Sequence, residues 1–176
     1  MTDSPLARIS AEVAEALLLA FGVAGATPAY DRWKRPFGFD LKDFDEVLYE
    51  SAAVIVLDWR ASLIDELPEL LGAFERCGFP LDYEERGEDV LVLKAADGSL
   101  SEIRVAGSEE DAGFDQAFVA IQRCLPQGVE VRRSPNNEGS DTFVYAVLPS
   151  GAWERAESLA GDVVAHFFEP LPVREG

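Results

Sequence analysis

The side chains that could do chemistry in this chain are few in kind and uneven in number. His166 is the single histidine, beside Phe167 and Phe168 in an apolar stretch. One histidine cannot build a two-histidine metal site, and that setting suits a side chain at the edge of a core. Cys77 and Cys124 lie far apart with no C-x-x-C pair, as expected for small core residues in a reducing compartment. There is no G-x-S-x-G, no G-x-x-x-x-G-K-[ST], no G-x-G-x-x-G and no D-x-[DN]-x-[DN]-G run. What remains is carboxylate. Asp43, Asp45 and Glu46 are the densest local set that could do acid–base work. Their spacing on a helix sends them to different faces, so they read as a solvated helix face. The expectation is no catalytic residue, no metal and no cofactor.

Carboxylates in excess can instead meet arginines and lysines on another macromolecule. The 176 residues hold 33 Asp+Glu against 15 Lys+Arg, a formal charge of −18. That charge repels phosphate backbones and anionic membranes, so neither nucleic acid nor membrane is an expected partner. A basic protein would be attracted at long range. The excess is concentrated: residues 61–115 carry 15 acids and 4 bases, net −11, against −4 before them and −3 after. Within that third it gathers at turns, with Glu84, Glu85, Glu88 and Asp89 around one hairpin tip and Glu109, Glu110 and Asp111 before a helix. The second group gains from the helix dipole, but the first has no local benefit. With Asp141 in a later polar loop, these eight are the candidate partner-binding residues. The basic, aromatic run Arg32-Trp33-Lys34-Arg35-Pro36-Phe37 is short and set in an acidic chain, so it reads as a structural loop.

The elements that position these residues follow from periodicity. Residues 5–21 repeat apolar side chains every three or four positions, with Ser4-Pro5 as start signal and Gly22 as stop. A second helix is predicted over 41–51, capped by Asp40, with Leu41, Phe44, Val47 and Leu48 on one face. Val54-Ile55-Val56-Leu57 reads as a strand buried on both faces. A helix from Ser62 to Cys77 follows, kinked or started by Pro68 and ended by Gly78. Strands are predicted over 81–85, 90–94 and 102–106, the last two joined through Asp97-Gly98. A helix over 114–125, strands over 129–133 and 142–148, and a helix over 152–168 complete the pattern. Ser150 would cap that last helix, with Trp153, Ala156, Leu159, Val163 or Val164, and Phe167 inward, Gly161 as a break and Pro170 and Pro172 ending the order. The apolar run Ala16 to Ala26 has 11 residues, too few to span a bilayer, and no basic segment precedes it. A cytoplasmic protein is expected.

Two blocks share a strand–helix–strand–strand order at an offset of about 47 residues. Ala73-Phe74-Glu75-Arg76-Cys77 falls over Ala120-Ile121-Gln122-Arg123-Cys124, and Val56-Leu57-Asp58 over Ile103-Arg104-Val105. The predicted class is α+β: a mostly antiparallel sheet from two βαββ-like units, backed by helices. Residues 1–52 form an N-terminal helical segment packing on a core of 53–170, and 171–176 form a tail. Over residues 53–148 this order resembles the two βαββ units of gyrase-inhibitor-like and related small-molecule-binding domains. That resemblance implies a ligand cleft between the halves.

Size, acidity, a helix-backed sheet and acidic loops around Asp89, Glu110 and Asp141 also resemble a bacterial immunity protein. The resemblance implies a non-catalytic inhibitor that occludes a cognate toxin, often a basic nuclease, with carboxylates standing in for phosphates. Trp59 or Trp153 would then serve as aromatic anchors. Two other readings remain: a small-molecule module with an apolar cleft, and an enzyme using two buried carboxylates of raised pKa.

Overall fold

The computed structural model describes residues 9–23, 41–58, 60, 63–86, 90–94, 97–104, 112–137 and 140–172. The first helix, α1, spans Ala11–Ala20. It begins later than its apolar repeat suggests because Ser10 caps it, accepting a hydrogen bond from the Val13 N–H at 3.3 Å. Ser4-Pro5, Asp40 and the basic run at 32–37 lie outside the described residues. Gly22 does end the helix: at φ +75° it lets its own N–H reach the Leu19 carbonyl and that of Val23 reach Leu18. Helix α2, Leu41–Tyr49, buries Phe44, Val47 and Leu48 as its spacing predicts. Asp45 and Glu46 are half-buried on it rather than fully solvated.

A four-stranded sheet forms the centre. Its strands are β1 (Val54–Asp58), β5 (Val129–Arg133), β6 (Thr142–Pro149) and β7 (Glu169–Pro170), in the order β1-β6-β5-β7. Strand side chains alternate between faces, so each strand feeds two cores. Val54, Val144, Ala146 and Leu148 face one core with α1, α2 and the last helix, α5 (Ser150–Phe167). Phe21 packs there against Trp153 and Phe168, each with ring centroids 5.4 Å away. This ties the N-terminal helices to the sheet. Ile55, Leu57, Tyr145 and Val147 face the other core, with α3 (Leu63–Arg76) and α4 (Ala112–Cys124). The continuous apolar run of β1 thus serves both cores, although Val56, on an edge strand, stays 41% exposed.

Leu91, Leu93 and Ile103 close the second core from a three-stranded sheet, β2 (Asp82–Glu85), β3 (Val90–Lys94) and β4 (Leu100–Arg104), in that order. Every pairing in both sheets is antiparallel, so the protein is of the α+β class. The two βαββ blocks do not each form a sheet of their own, however. Each block keeps its hairpin, β2–β3 and β5–β6, and exchanges its first strand. Strand β1 pairs with β6 of the second block, and β4 with β3 of the first.

Four further expectations need correction. Helix α3 runs through Pro68, so the proline does not mark its start, while Gly78, at φ +84°, closes it as expected. Ser150 is the first helical residue of α5 rather than its cap, a position taken by Pro149 without a side-chain hydrogen bond. Ala160 (φ −160°, ψ 73°) breaks α5 next to Gly161, yet the buried residues on either side keep one helical stripe that leaves out Leu159. Trp153, Ala156, Val163, Val164 and Phe167 face inward, and Leu159 is left 41% exposed. Pro170 does not end the order either, because Glu169–Pro170 is β7.

Candidate functional site

Strand β2 is the one described strand of which every residue is exposed. It carries Asp82, Glu84 and Glu85, with Tyr83 39% exposed between them. The nearby cation is Arg86, 3.6 Å from Glu84, but both side chains are more than half exposed. Water screens such a pair, so it offsets little of the negative field. Among the described residues only β3 pairs with β2.

The ladder also tells which backbone groups are spare. In an antiparallel pair, opposite residues alternate between bonding across and pointing away. The Arg86 N–H donates to the Val90 carbonyl at 2.8 Å, which sets the phase. Glu84 and Asp82 therefore bond across to Val92 and Lys94, their register partners. Tyr83 and Glu85 turn their N–H and C=O groups to the open side.

Of the eight carboxylates singled out from sequence, the structure brings Glu84 and Glu85 together on this strand. Asp141 is exposed just before β6, in the other sheet. Glu88, Asp89, Glu109, Glu110 and Asp111 lie outside the described residues, as does Trp59. Trp153 cannot act as a partner anchor, because it is 1% exposed. Its indole N–H donates to the Glu130 carbonyl at 3.0 Å, and the Arg132 guanidinium stands 4.3 Å from its ring centroid.

Arginine is used quite differently. Arg132 and Arg133 are consecutive on β5, so they point into opposite layers. Arg132 donates to Glu130 at 2.8 Å and to Glu157 of α5 at 2.5 Å. Arg133 donates to Asp115 of α4 at 2.6 Å and to Glu169 of β7 at 2.8 Å. Burial alone would lower both guanidinium pKa values, and these partners raise them instead. The Tyr145 hydroxyl donates to the other Asp115 oxygen at 2.9 Å, and its ring stacks on Phe118 at 3.7 Å. Burial, then the Asp115 charge, pushes the Tyr145 pKa well above its ordinary value. This network joins layers, and it spends two cations of the C-terminal third inside the fold.

A second acidic group was not legible from sequence: Asp58 at the end of β1 with Asp65, Glu66 and Glu69 on α3. Desolvation, then Glu69, Asp58 and Asp65 in that order, raises the Glu66 pKa. Among the described residues no group of three or more His, Cys, Asp or Glu could hold a metal ion. Asp115, the one described carboxylate that is buried, is committed to Arg133 and Tyr145.

A groove of about 310 Å³ lies between the C-terminal ends of α3 and α4, with Phe79, Leu81, Leu125 and Pro126 among its walls and Asp97 and Arg123 at its polar positions. The Ser99 hydroxyl and then its N–H, at 2.6 and 2.8 Å, hold the Asp97 carboxyl below the usual range. Both cysteines are free thiols. Cys77 donates to the Ala52 carbonyl at 3.0 Å, and burial pushes its pKa up. Among the described residues no helix is long and apolar enough to cross a membrane. Comparisons with protein-family models, curated proteins and solved structures found no match to this chain.

Proposed function

We propose that this chain is a non-catalytic acidic protein that binds and neutralises a basic protein partner, the cognate toxin of a bacterial toxin–immunity pair. It acts in the cytoplasm by covering the toxin's working surface, with carboxylates in the place of the toxin's phosphate-bearing substrate. The observation that carries this reading is β2: three exposed carboxylates on one short strand, with solvent-screened Arg86 beside Glu84, exposed Lys94 opposite Asp82, and no described cation opposite Glu85. Arg132 and Arg133, at the corresponding positions of β5, are paired within the fold instead. A field left uncompensated in this way accelerates encounter with a basic surface and weakens as salt rises. The test is association with the product of the adjacent open reading frame, measured at 50 and 300 mM salt (about an 8 Å change in Debye length from roughly 14 to 6 Å). The association rate should fall at least tenfold across that range and again in Glu84→Lys/Glu85→Lys. A rate indifferent to both changes would reject the reading.

The groove between the ends of α3 and α4 supports a second reading, a small-molecule-binding module. Its volume sits at the lower end of the range of ligand pockets, roughly 300–1,000 Å³. Phe79→Asp should abolish any ligand-induced rise in melting temperature if that reading holds.

A further inference from the structure

The geometry points to a specific docking mode for the proposed basic partner: it adds an antiparallel β-strand to the open edge of β2, with an arginine or lysine opposite Glu85. This rests on the acidic-surface reading and goes beyond it, since charge attraction alone requires no strand.

The argument comes from the other half of the molecule. Hairpin β5–β6 corresponds to hairpin β2–β3. The Ser134 N–H donates to the Val144 carbonyl at 2.8 Å, as the Arg86 N–H does to Val90 at the same distance. Aligning these bonds puts Arg132 and Arg133 at the positions of Glu84 and Glu85. By the same alternation, Arg133 turns its backbone away from β6, as Glu85 turns away from β3. On β5 that outer edge is occupied. Strand β7 pairs there antiparallel, with Glu169 opposite Arg133 and Pro170 opposite Arg132. The same two residues are joined again through their side chains at 2.8 Å. One edge of this architecture thus shows how a strand is captured: ladder bonds at the outward-facing residue, fixed by an opposite charge on it.

Strand β2 offers the same edge with the charge reversed and nothing paired to it among the described residues. Its outward backbone groups belong to Tyr83 and Glu85. A strand laid there by analogy with β7 would place its cation where Glu169 sits on β5. A second copy of this chain is a poor occupant, because β2 against β2 sets carboxylates beside carboxylates. The other described edges differ. Strands β1, β4 and β7 carry one carboxylate each, against three on β2. Strand addition draws affinity from the main chain and specificity from alternate side chains.

The test uses the full chain and a synthetic Arg-Thr-Arg-Thr-Arg peptide, blocked at both ends, with binding read by titration and by backbone amide signals of β2. The peptide should bind, and the Tyr83 and Glu85 amides should become protected from exchange. Tyr83→Pro removes one outward N–H and no ladder bond, so β2–β3 survives while peptide affinity falls at least tenfold. Methylating the arginine amide nitrogens of the peptide should abolish binding, and methylating the threonine nitrogens should not; this arm leaves the protein intact if Tyr83→Pro misfolds. If Glu84→Gln/Glu85→Gln weakens binding while Tyr83→Pro and the methylated peptides change nothing, strand addition is wrong and the acidic-surface reading stands. If the charge variant has no effect either, both fall. Failure of the peptide to bind at low salt also overturns strand addition.

Discussion

Replacing Asp115 by asparagine tests the claim that the C-terminal arginines are held inside the fold. Asp115 receives Arg133 on one oxygen at 2.6 Å and Tyr145 on the other at 2.9 Å. The paired side chains are only 16% and 12% exposed, so water screens them little. Breaking a buried ion pair by removing one charge costs roughly 3–5 kcal/mol. Arg133 keeps Glu169, which is 40% exposed, and an amide can still bond Tyr145; both lower the cost. The expected loss is therefore about 2–3 kcal/mol, or ~6–9 °C in melting temperature at ~3 °C per kcal/mol for a chain of this length. Tyr145→Phe keeps the stacking on Phe118 and loses one hydrogen bond to a charge, about 1.5 kcal/mol. Because both variants act on one carboxylate, the double variant should lose less than the sum, by ~1 kcal/mol. Urea unfolding at pH 7 with a constant m-value measures all three. A loss under ~0.5 kcal/mol for Asp115→Asn, or additivity of the pair, would refute the network as a structural unit.

Other outcomes follow from single sites. Tyr145 keeps its proton in the folded state above the pH at which the unfolded chain releases it, near 10. Its contribution is thus complete below pH 10 and declines above it by about 1.4 kcal/mol per pH unit; the difference between the wild type and Tyr145→Phe isolates that decline in unfolding curves from pH 9 to 11. Glu66 has a raised folded pKa, so its charge costs stability at neutral pH and none once it is protonated. After solvent screening, Glu66→Gln should gain a few tenths of a kcal/mol at pH 7 and nothing near pH 3, read by thermal unfolding. Glu84→Thr/Glu85→Thr should turn β2 from a repelling into a self-pairing edge; sedimentation velocity should show concentration-dependent association in the variant, and a strictly monomeric variant would show that these carboxylates do not guard the edge.

Local signals were legible and non-local ones were not. Gly22 and Gly78 announced helix ends because positive φ is a property of single residues. The Asp97-Gly98 turn was readable for the same reason, with Gly98 at φ +83°. Exchange of β1 and β4 leaves no mark on periodicity, since each strand has the same alternation whichever hairpin it joins. Strand β7 is two residues long and includes a proline, too little for any pattern. Leu159 stays exposed because the inward stripe runs Trp153, Ala156, Ala160, Val163 or Val164 and Phe167, and Leu159 lies beside it. Of the site, composition revealed the acidity of Glu84 and Glu85, but the open edge beneath them is a fact of pairing.

The charge distribution and the strand exchange are one arrangement. Arg132 and Arg133 have strong partners because β5 lies between α5 on one face and α4 on the other, with β7 along its edge. Strand β2 occupies the corresponding position in a sheet that ends there among the described residues, so Glu84 and Glu85 are exposed where Arg132 and Arg133 meet a helix or β7. Substituting arginine for these glutamates would make the surface less acidic without giving them anything to bind within the chain. Apart from Arg86 beside Glu84 and Lys94 opposite Asp82, the acidity of β2 has no partner among the described residues, and an open edge needs some charge against self-pairing. Under the proposed function, the remaining negative charge is what a positively charged strand would read.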